Sequence, residues 1–302
     1  MILKRHQFIW DFYKCSKGII PSCLSQVLYG GITFENPNTI KKNELPKVCY
    51  ISIFPSFLTP KLIDEDQYKL TRVKHYGMSC SAMVVSNSNS VEEYLTTYTQ
   101  KSLRVKLKRA IKKLESAYTV KYEYNHGAIS DEKCKSLLND LNQMINLRFS
   151  GRINEHIFLM EWDKNTQDLA VSIREKKSSL FVVYADDKPI SISVKRHINK
   201  TILFSETHSF DVNFKKYGLG DIDKYMTVDW AIKNKYPIID LGIGVTPFKR
   251  KWCNFFYDKE YLVFYRKKSV MAYVVAKFEI GKIHLKNAIK STRDWLFKNK
   301  KG

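Results

Sequence analysis

The stretch from Thr201 to Trp252 constrains this chain more than any other. Strand-like residues 201–210 are followed by Lys215-Lys216-Tyr217-Gly218-Leu219-Gly220, which opens straight into a helical pattern. Two glycines at this spacing let the backbone curl so that successive N–H groups face one concavity. The helix N-terminus adds partial positive charge in the same direction, and Lys215 and Lys216 add full charges. Lys215, Tyr217, Gly218, Leu219, Gly220 and Asp221 therefore read as a diphosphate receptor.

Several diphosphate motifs compete for this reading. No Gly-Lys-Ser/Thr follows, which excludes a P-loop. A dinucleotide-binding turn needs a third glycine where Asp223 stands, and the seven residues between Phe210 and Gly218 are too many for its tight turn. Two readings remain: a coenzyme A pyrophosphate loop, or a helix start whose glycines serve only packing.

The elements around this motif are mixed. Leu180 to Ala185 is an apolar strand, and Asp186-Asp187-Lys188 a turn. From Pro189 onward Ile190, Ile192 and Val194 alternate with Ser191, Ser193 and Lys195, the pattern of an antiparallel hairpin with one buried face. A third strand at 201–210, a helix at 218–235 and strands at 238–241 and 255–265 follow, with 238–241 expected to return parallel to its predecessor.

In the first half, 48–58 and 78–85 read as buried strands, 35–47 as an exposed loop and 86–90 as polar punctuation. Residues 101–115 form a helix with Leu103, Leu107, Ala110 and Leu114 on one stripe. Its other faces carry Lys101, Arg104, Lys106, Lys108, Arg109, Lys112 and Lys113. That basic face either is solvated or holds an anionic substrate, with Arg104 and Arg109 as contacts. A strand at 118–124 precedes a helix capped by Ser130, and a further helix covers 161–176. The tail, 269–298, reads as a basic amphipathic helix with Val270, Tyr273, Val274, Phe278 and Ile289 as core positions.

Strand, then [QR]xxGx[GA], then helix is the central motif of GNAT acyltransferases, and Lys215-x-x-Gly218-x-Gly220 resembles it. Lysine replaces the usual Gln or Arg, keeping charge but losing the planar, multi-donor head. Asp240-Leu241-Gly242-Ile243-Gly244 and then Phe248-Lys249-Arg250-Lys251-Trp252 resemble the ending of CelD/BcsL-type acetyltransferases, with Phe248 where a tyrosine is usual. The basic helix is similar to the Arg/Lys-rich helix of that group, so the resemblance spans roughly residues 90–265.

This resemblance implies an α+β fold with a mixed, mostly antiparallel sheet of GNAT type. Through likeness to FemAB-like transferases it also implies two GNAT-like modules side by side: 1–150, carrying the basic helix, and 151–302, carrying the acyl-thioester site and the basic C-terminal helix. It implies acetyl-CoA or another acyl-CoA as donor, and a sugar nucleotide or other cell-surface polysaccharide precursor as acceptor. The FemAB-like side of the resemblance implies charged tRNA as an alternative donor.

Acyl transfer from a thioester needs an oriented acceptor, a route for its proton and donors to the developing oxyanion. Period-two geometry places Ile202, Phe204, Glu206, His208 and Phe210 on one strand face, with Glu206 and His208 about 7 Å apart. Partial desolvation by the two phenylalanines would raise a carboxylate pKa and lower that of His, so Glu206 and His208 are base candidates. Asp240, at a strand end, either orients the acceptor or caps the following turn. Lys249 and Trp252 are candidate substrate contacts, with a solvated cation and a core indole as the alternatives. Cys253 has no histidine close in sequence and reads as an ordinary thiol.

A formal charge of +21 over 302 residues predicts attraction to an anion or a lysine-rich solvated surface. Cys15, Cys23, Cys49, Cys80, Cys134 and Cys253 are scattered without a CxxC pair, as expected for reduced thiols. The seven histidines lack metal-site spacing, so no dedicated metal site is expected. Residues 1–13 carry Lys4, Arg5 and Asp11 and do not read as a signal peptide, and no run is apolar enough to span a bilayer. The expected place is the cytoplasm, with 269–298 able to rest on an anionic membrane face.

Overall fold

The computed structural model describes residues 1–8, 20–29, 32–36, 39–150, 157–198 and 200–299; Cys15 and the end of the 1–13 segment lie outside them. The chain opens with strands β1 (Leu3–Gln7), β2 (Leu24–Tyr29), β3 (Ile32–Glu35), β4 (Val48–Pro55), β5 (Thr59–Leu62) and β6 (Tyr68–Val84). Helices α1 (Val91–Tyr98) and α2 (Lys101–Glu115), strand β7 (Val120–Asn125) and helix α3 (Asp131–Phe149) come next. Short helices α4 (Ile157–Met160), α5 (Trp162–Thr166) and α6 (Leu169–Arg174) precede β8 (Ser178–Ala185), β9 (Lys188–Ile198) and β10 (Ile202–Phe210). The chain then forms α7 (Leu219–Lys233), β11 (Ile238–Ile243), α8 (Pro247–Trp252), β12 (Phe255–Arg266) and α9 (Val270–Asn299).

Two compact units result, one of residues 81–242 with 246–255, the other of 1–80, 243–245 and 256–302. The expected division at 150/151 is not where they part. Helix α3 packs Leu141, Met144 and Ile145 against Leu180, Val182, Ile192 and Val194, which binds both sides of that position into one core.

In the first of these units the strand order is β11-β10-β9-β8-β7. Asp186 and Asp187 both take positive φ, the backbone that a two-residue hairpin between β8 and β9 requires. β10 and β11 run parallel with Ile202 opposite Ile238 and Phe204 opposite Asp240, as the sequence predicted. The expected single buried face on β9 is corrected: Ser191, Ser193 and Lys195 are as buried as Ile192 and Val194. One sheet face meets α3, and the other meets α7 and α2 through Leu219, Ile222, Leu103 and Leu107.

β10 carries one residue too many. Ser205 pairs with Lys195 and Thr207 with Val194, so Glu206 is the extra residue of a β-bulge. The single helix expected over 161–176 is broken at Asp168, which leaves helical geometry at φ −110° and ψ 17°. Helix α1, missed in the sequence, starts where the Ser90 hydroxyl accepts from Glu93 N–H at 3.1 Å and Glu93 accepts from Asn89 N–H, a capping box inside the polar punctuation.

In the other unit β1-β4-β12-β6 form one sheet order, and β3-β2-β5 a separate small sheet. The first four short strands apart from β4 were not anticipated, and the expected loop at 35–47 holds a single 3-10 turn at Lys42–Glu44. Helix α9 exists as predicted but presents the opposite face. Ala272, Ala276, Ile280 and Ile283 pack on Val48, Val73, Tyr261 and Val263, whereas Val270, Tyr273, Val274, Phe278 and Ile289 are exposed. Small residues allow the helix to approach a tyrosine-rich sheet closely; the larger apolar side chains would hold it off.

Candidate acyl-donor site

Helix α7 begins without a side-chain cap. Ser90, Ser130 and Thr246 cap α1, α3 and α8, but Gly218, at φ 64°, precedes α7 and offers no side-chain oxygen. A 3-10 turn at Val212–Tyr217 delivers the chain to this point, with Gly218 N–H closing on Lys215 O at 3.2 Å. Asp221 N–H closes on Gly218 O at 2.9 Å. The N–H groups of Leu219 and Gly220 therefore remain as the open donors of the helix end among the described residues, with the helix dipole behind them.

The side chains of the predicted receptor divide. Lys215 and Lys216 are exposed, while Tyr217 is buried against Phe214 and Tyr118, with Lys113 and Lys216 over its ring. Leu219 is core. Asp221 does not plug the helix end: its Oδ1 accepts from Trp252 Nε1 at 2.9 Å. A Cβ on Gly220 would stand 3.6 Å from the Phe248 ring and 3.9 Å from His208 Cε1, and one on Gly218 would stand 3.9 Å from Ala110. The open donors thus lie among Phe248, His208 and the basic helix α2.

His208 and Glu206 are not same-side neighbours, because the bulge separates them. His208 pairs with Ser193 on the α7 face, and its Nε2 meets Ser191 Oγ at 2.9 Å. Burial pushes its pKa down to about 3, with Lys224 and Lys195 adding to the effect against Asp223, so the ring is neutral at ordinary pH. Glu206 turns to the other face, where Arg196 Nε donates to its Oε2 at 2.7 Å.

A cluster that the sequence did not announce lies beside His208. Asp223, one turn into α7, accepts from Ser193 Oγ at 2.6 Å, Lys224 Nζ at 2.6 Å and Lys195 Nζ at 3.1 Å. Both ammonium groups also reach Ser205 Oγ. Burial alone would raise the Asp223 carboxyl, but Lys195 and Lys224 hold it well below the usual carboxylate range. Burial lowers Lys195 to about 7 against the pull of Asp223, as expected when two buried ammonium groups share one carboxylate. A small recess lined by Tyr122, Tyr124, Phe181, Ser191 and Met226 reaches Asp223. The available signal was the Ser191-Ser193-Lys195 alternation on β9, which does not by itself say that a helix covers that side.

Most of the remaining candidates meet groups of the fold itself. Asp240 is fully buried and its Oδ1 accepts from Gly242 N–H at 2.7 Å, so it closes a turn. Lys249 Nζ donates to Leu241 O at 2.7 Å and Gly242 O at 3.2 Å. Trp252 is core, and its carbonyl accepts from Tyr94 OH. Arg104 holds the end of α1 by donating to Leu95 O and Thr99 O. Arg109 stays exposed on α2 and has no ion pair among the described residues. Burial raises the Cys253 thiol to about 12, which removes it as a nucleophile.

Residues 101–250 match the model of an acetyltransferase (GNAT) domain. The solved structure of FemX is similar at 10% identity over 73% of this chain and 73% of that one, with a TM-score of 0.50, a likeness of fold. A conserved protein of unknown function from Bacteroides thetaiotaomicron VPI-5482 matches at 11% identity over 72% and 70% of the two chains, TM-score 0.49. L-PGS from Bacillus licheniformis matches at 11% identity over 76% and 71%, TM-score 0.42. No curated protein matches by sequence.

Proposed function

Because residues 101–250 carry an acetyltransferase (GNAT) domain, we propose that this protein transfers an acyl group from acyl-CoA to an amine or hydroxyl of an anionic acceptor. The observation that carries the reading is the uncapped start of α7, with Leu219 and Gly220 N–H open beside Lys215, Lys216 and His208. These groups fit a diphosphate: two directed donors, the positive end of a helix dipole and two mobile ammonium groups. The thioester supplies an activated carbonyl. Phe248 covers the helix end with an apolar ring and, lacking a hydroxyl, has no proton to give. His208, kept neutral by burial and oriented by Ser191, accepts the acceptor's proton; its low affinity makes it a relay that passes the proton to the departing CoA thiolate. The buried Lys195–Asp223–Lys224 cluster leaves net positive charge on the same sheet face, suited to stabilising a developing oxyanion through space.

The resemblance to CelD/BcsL-type enzymes supports a sugar nucleotide or polysaccharide precursor as acceptor, and the exposed cations of α2, Arg109 among them, suit its phosphates. The test is a donor screen by thermal shift with acetyl-CoA and longer acyl-CoAs, followed by transfer assays on sugar nucleotides. A raised Tm that is lost on replacing Gly220 with leucine is the expected outcome. Indifference to every acyl-CoA, together with salt-dependent binding of charged tRNA, would replace this reading with aminoacyl transfer.

A second reading concerns where the protein works, and α9 carries it. No helix among the described residues is long and apolar enough to cross a membrane. Yet Val274, Phe278, Leu285, Ile289 and Leu296 form one exposed stripe opposite the packed face of α9. Lys277 and His284 border one edge of it, and Lys282, Lys286 and Arg293 the other. This is the pattern of a helix lying in an anionic lipid interface; a second copy would bring like charges together. Flotation with vesicles containing phosphatidylglycerol should carry the protein up, and Phe278→Glu with Leu285→Glu should abolish it. Equal flotation of that variant would overturn the reading.

A further inference from the structure

His6, Cys23 and Cys49 are unrelated by sequence spacing, yet they meet inside one compact unit. β1 and β4 pair in parallel with Lys4 opposite Cys49 and His6 opposite Ile51, so His6 and Cys49 project from the same face. Cys23 comes from the turn before β2. Buried Asn36 braces that turn by donating its side-chain amide to Pro21 O at 3.1 Å and Leu24 O at 2.8 Å, while Ile63 N–H donates to Cys23 O at 3.1 Å. The ligand-capable atoms of all three residues lie within 4.8 Å of one another. Both thiols are fully buried. His6 Nε2 is enclosed and meets no nitrogen or oxygen partner among the described residues, while the Cys23 thiol lies in hydrogen-bonding contact with both Cys49 and His6.

An enclosed imidazole nitrogen with at most a weak thiol contact is a cost to the fold unless a stronger partner meets it. The donor set, two sulfurs and one imidazole, is that of a borderline-soft ion. We propose that His6, Cys23 and Cys49 bind one Zn2+ ion that fastens β1 and β4 to the turn leading into the small β3-β2-β5 sheet. Binding breaks two S–H bonds, forms two Zn–S bonds and one Zn–N bond, and releases two protons to solvent. Two thiolates then balance the ion's charge, so the buried site is neutral. Bond lengths of about 2.3 Å to sulfur and 2.1 Å to nitrogen imply tetrahedral ligand separations of about 3.6–3.8 Å, so closing the site from 4.8 Å takes a movement of roughly 1 Å. A water on the half-buried side of His6 completes four-coordination. The role is structural, and it does not depend on the acyl-transfer reading.

The experiment uses the full chain, purified under reducing conditions without a metal-affinity tag. Zinc is measured by mass spectrometry, and the chelator-treated protein is titrated with Co2+. About one zinc per chain is expected, and Co2+ should give a thiolate charge-transfer band with the intense visible bands of a four-coordinate site. Cys49→Ser and His6→Gln should each weaken Co2+ binding about tenfold or more, while Cys134→Ser should leave it unchanged. Should Cys49→Ser prove unfolded by circular dichroism, His6→Gln and the wild-type spectrum decide. Absence of zinc together with absence of a thiolate band overturns the proposal. So does a Cys23–Cys49 disulfide whose reduction restores no metal binding.

Discussion

Arg196 Nε donates to Glu206 Oε2 at 2.7 Å, and the same guanidinium donates to Ser178 Oγ at 3.0 Å and Asn165 O at 2.7 Å. Arg196 is nearly fully buried, and that carboxylate compensates its charge. Removing one partner of a buried pair leaves the other uncompensated. Glu206→Ala should therefore lower stability by about 3–5 kcal/mol in urea unfolding, while acyl transfer by the folded fraction persists. Loss of kcat at unchanged stability would instead give Glu206 the role of base.

His208 makes stability depend on pH in one direction. A free imidazole titrates near 6.5, and His208 at about 3. Between those values the unfolded chain takes up a proton that the folded chain refuses, so this residue's contribution falls as the solution is acidified through that window and is constant above it. Urea midpoints followed downward from neutral pH should drop less steeply in His208→Gln than in the wild type. The same variant should lose most transfer activity with little change in KM for the donor. A retained kcat would remove His208 from the chemistry.

The open helix end can be blocked without touching a charge. Gly220 has room for a Cβ, at 3.6 Å from Phe248, but a larger side chain there must cover the free N–H groups. Gly220→Ala should bind acetyl-CoA nearly as the wild type does. Gly220→Leu should weaken binding about tenfold or more, roughly 1.4 kcal/mol, by calorimetry on protein of unchanged circular dichroism. Gly218→Val differs: at φ 64° it adds about 1–2 kcal/mol of backbone strain, so its defect should appear first in thermal stability.

Asp221 is a packing residue in a helix's first turn. Asp221→Ala deprives the buried Trp252 indole N–H of its acceptor. The expected loss is about 1–3 kcal/mol of stability, read as a lowered Tm, with donor affinity changed much less. A selective loss of donor affinity would mean that the carboxylate acts on the ligand.

Local signals were enough for the strands of the second half and for α7, down to the parallel return of Ile238–Ile243 and the helix start at Gly218, but they missed α8 and joined α5 and α6 into one helix. What they could not convey was which surface each element covers. The alternation on β9 reads as polar-out only if nothing sits on that side; α7 does, and Ser191, Ser193 and Lys195 become interior. The apolar residues of α9 read as core by size, whereas a tyrosine-lined sheet accepted the alanine side. Asp240 was chosen at a strand end, Lys249 in a basic run and Arg104 on a basic helix face, but each meets a backbone group that needed a partner. His6, Cys23 and Cys49 are joined only by tertiary structure.

The surplus residue in β10 works as a phase shifter. Upstream of Glu206 odd-numbered positions look toward α7; downstream even-numbered ones do. Pairing β10 as a regular pleat with Glu206 kept in the ladder would transpose every later side chain, sending His208 into the aliphatic layer beneath α3 and Ser209 toward the helix dipole. A register slip of one, in the middle of a strand, would silence this centre while leaving its parts list intact.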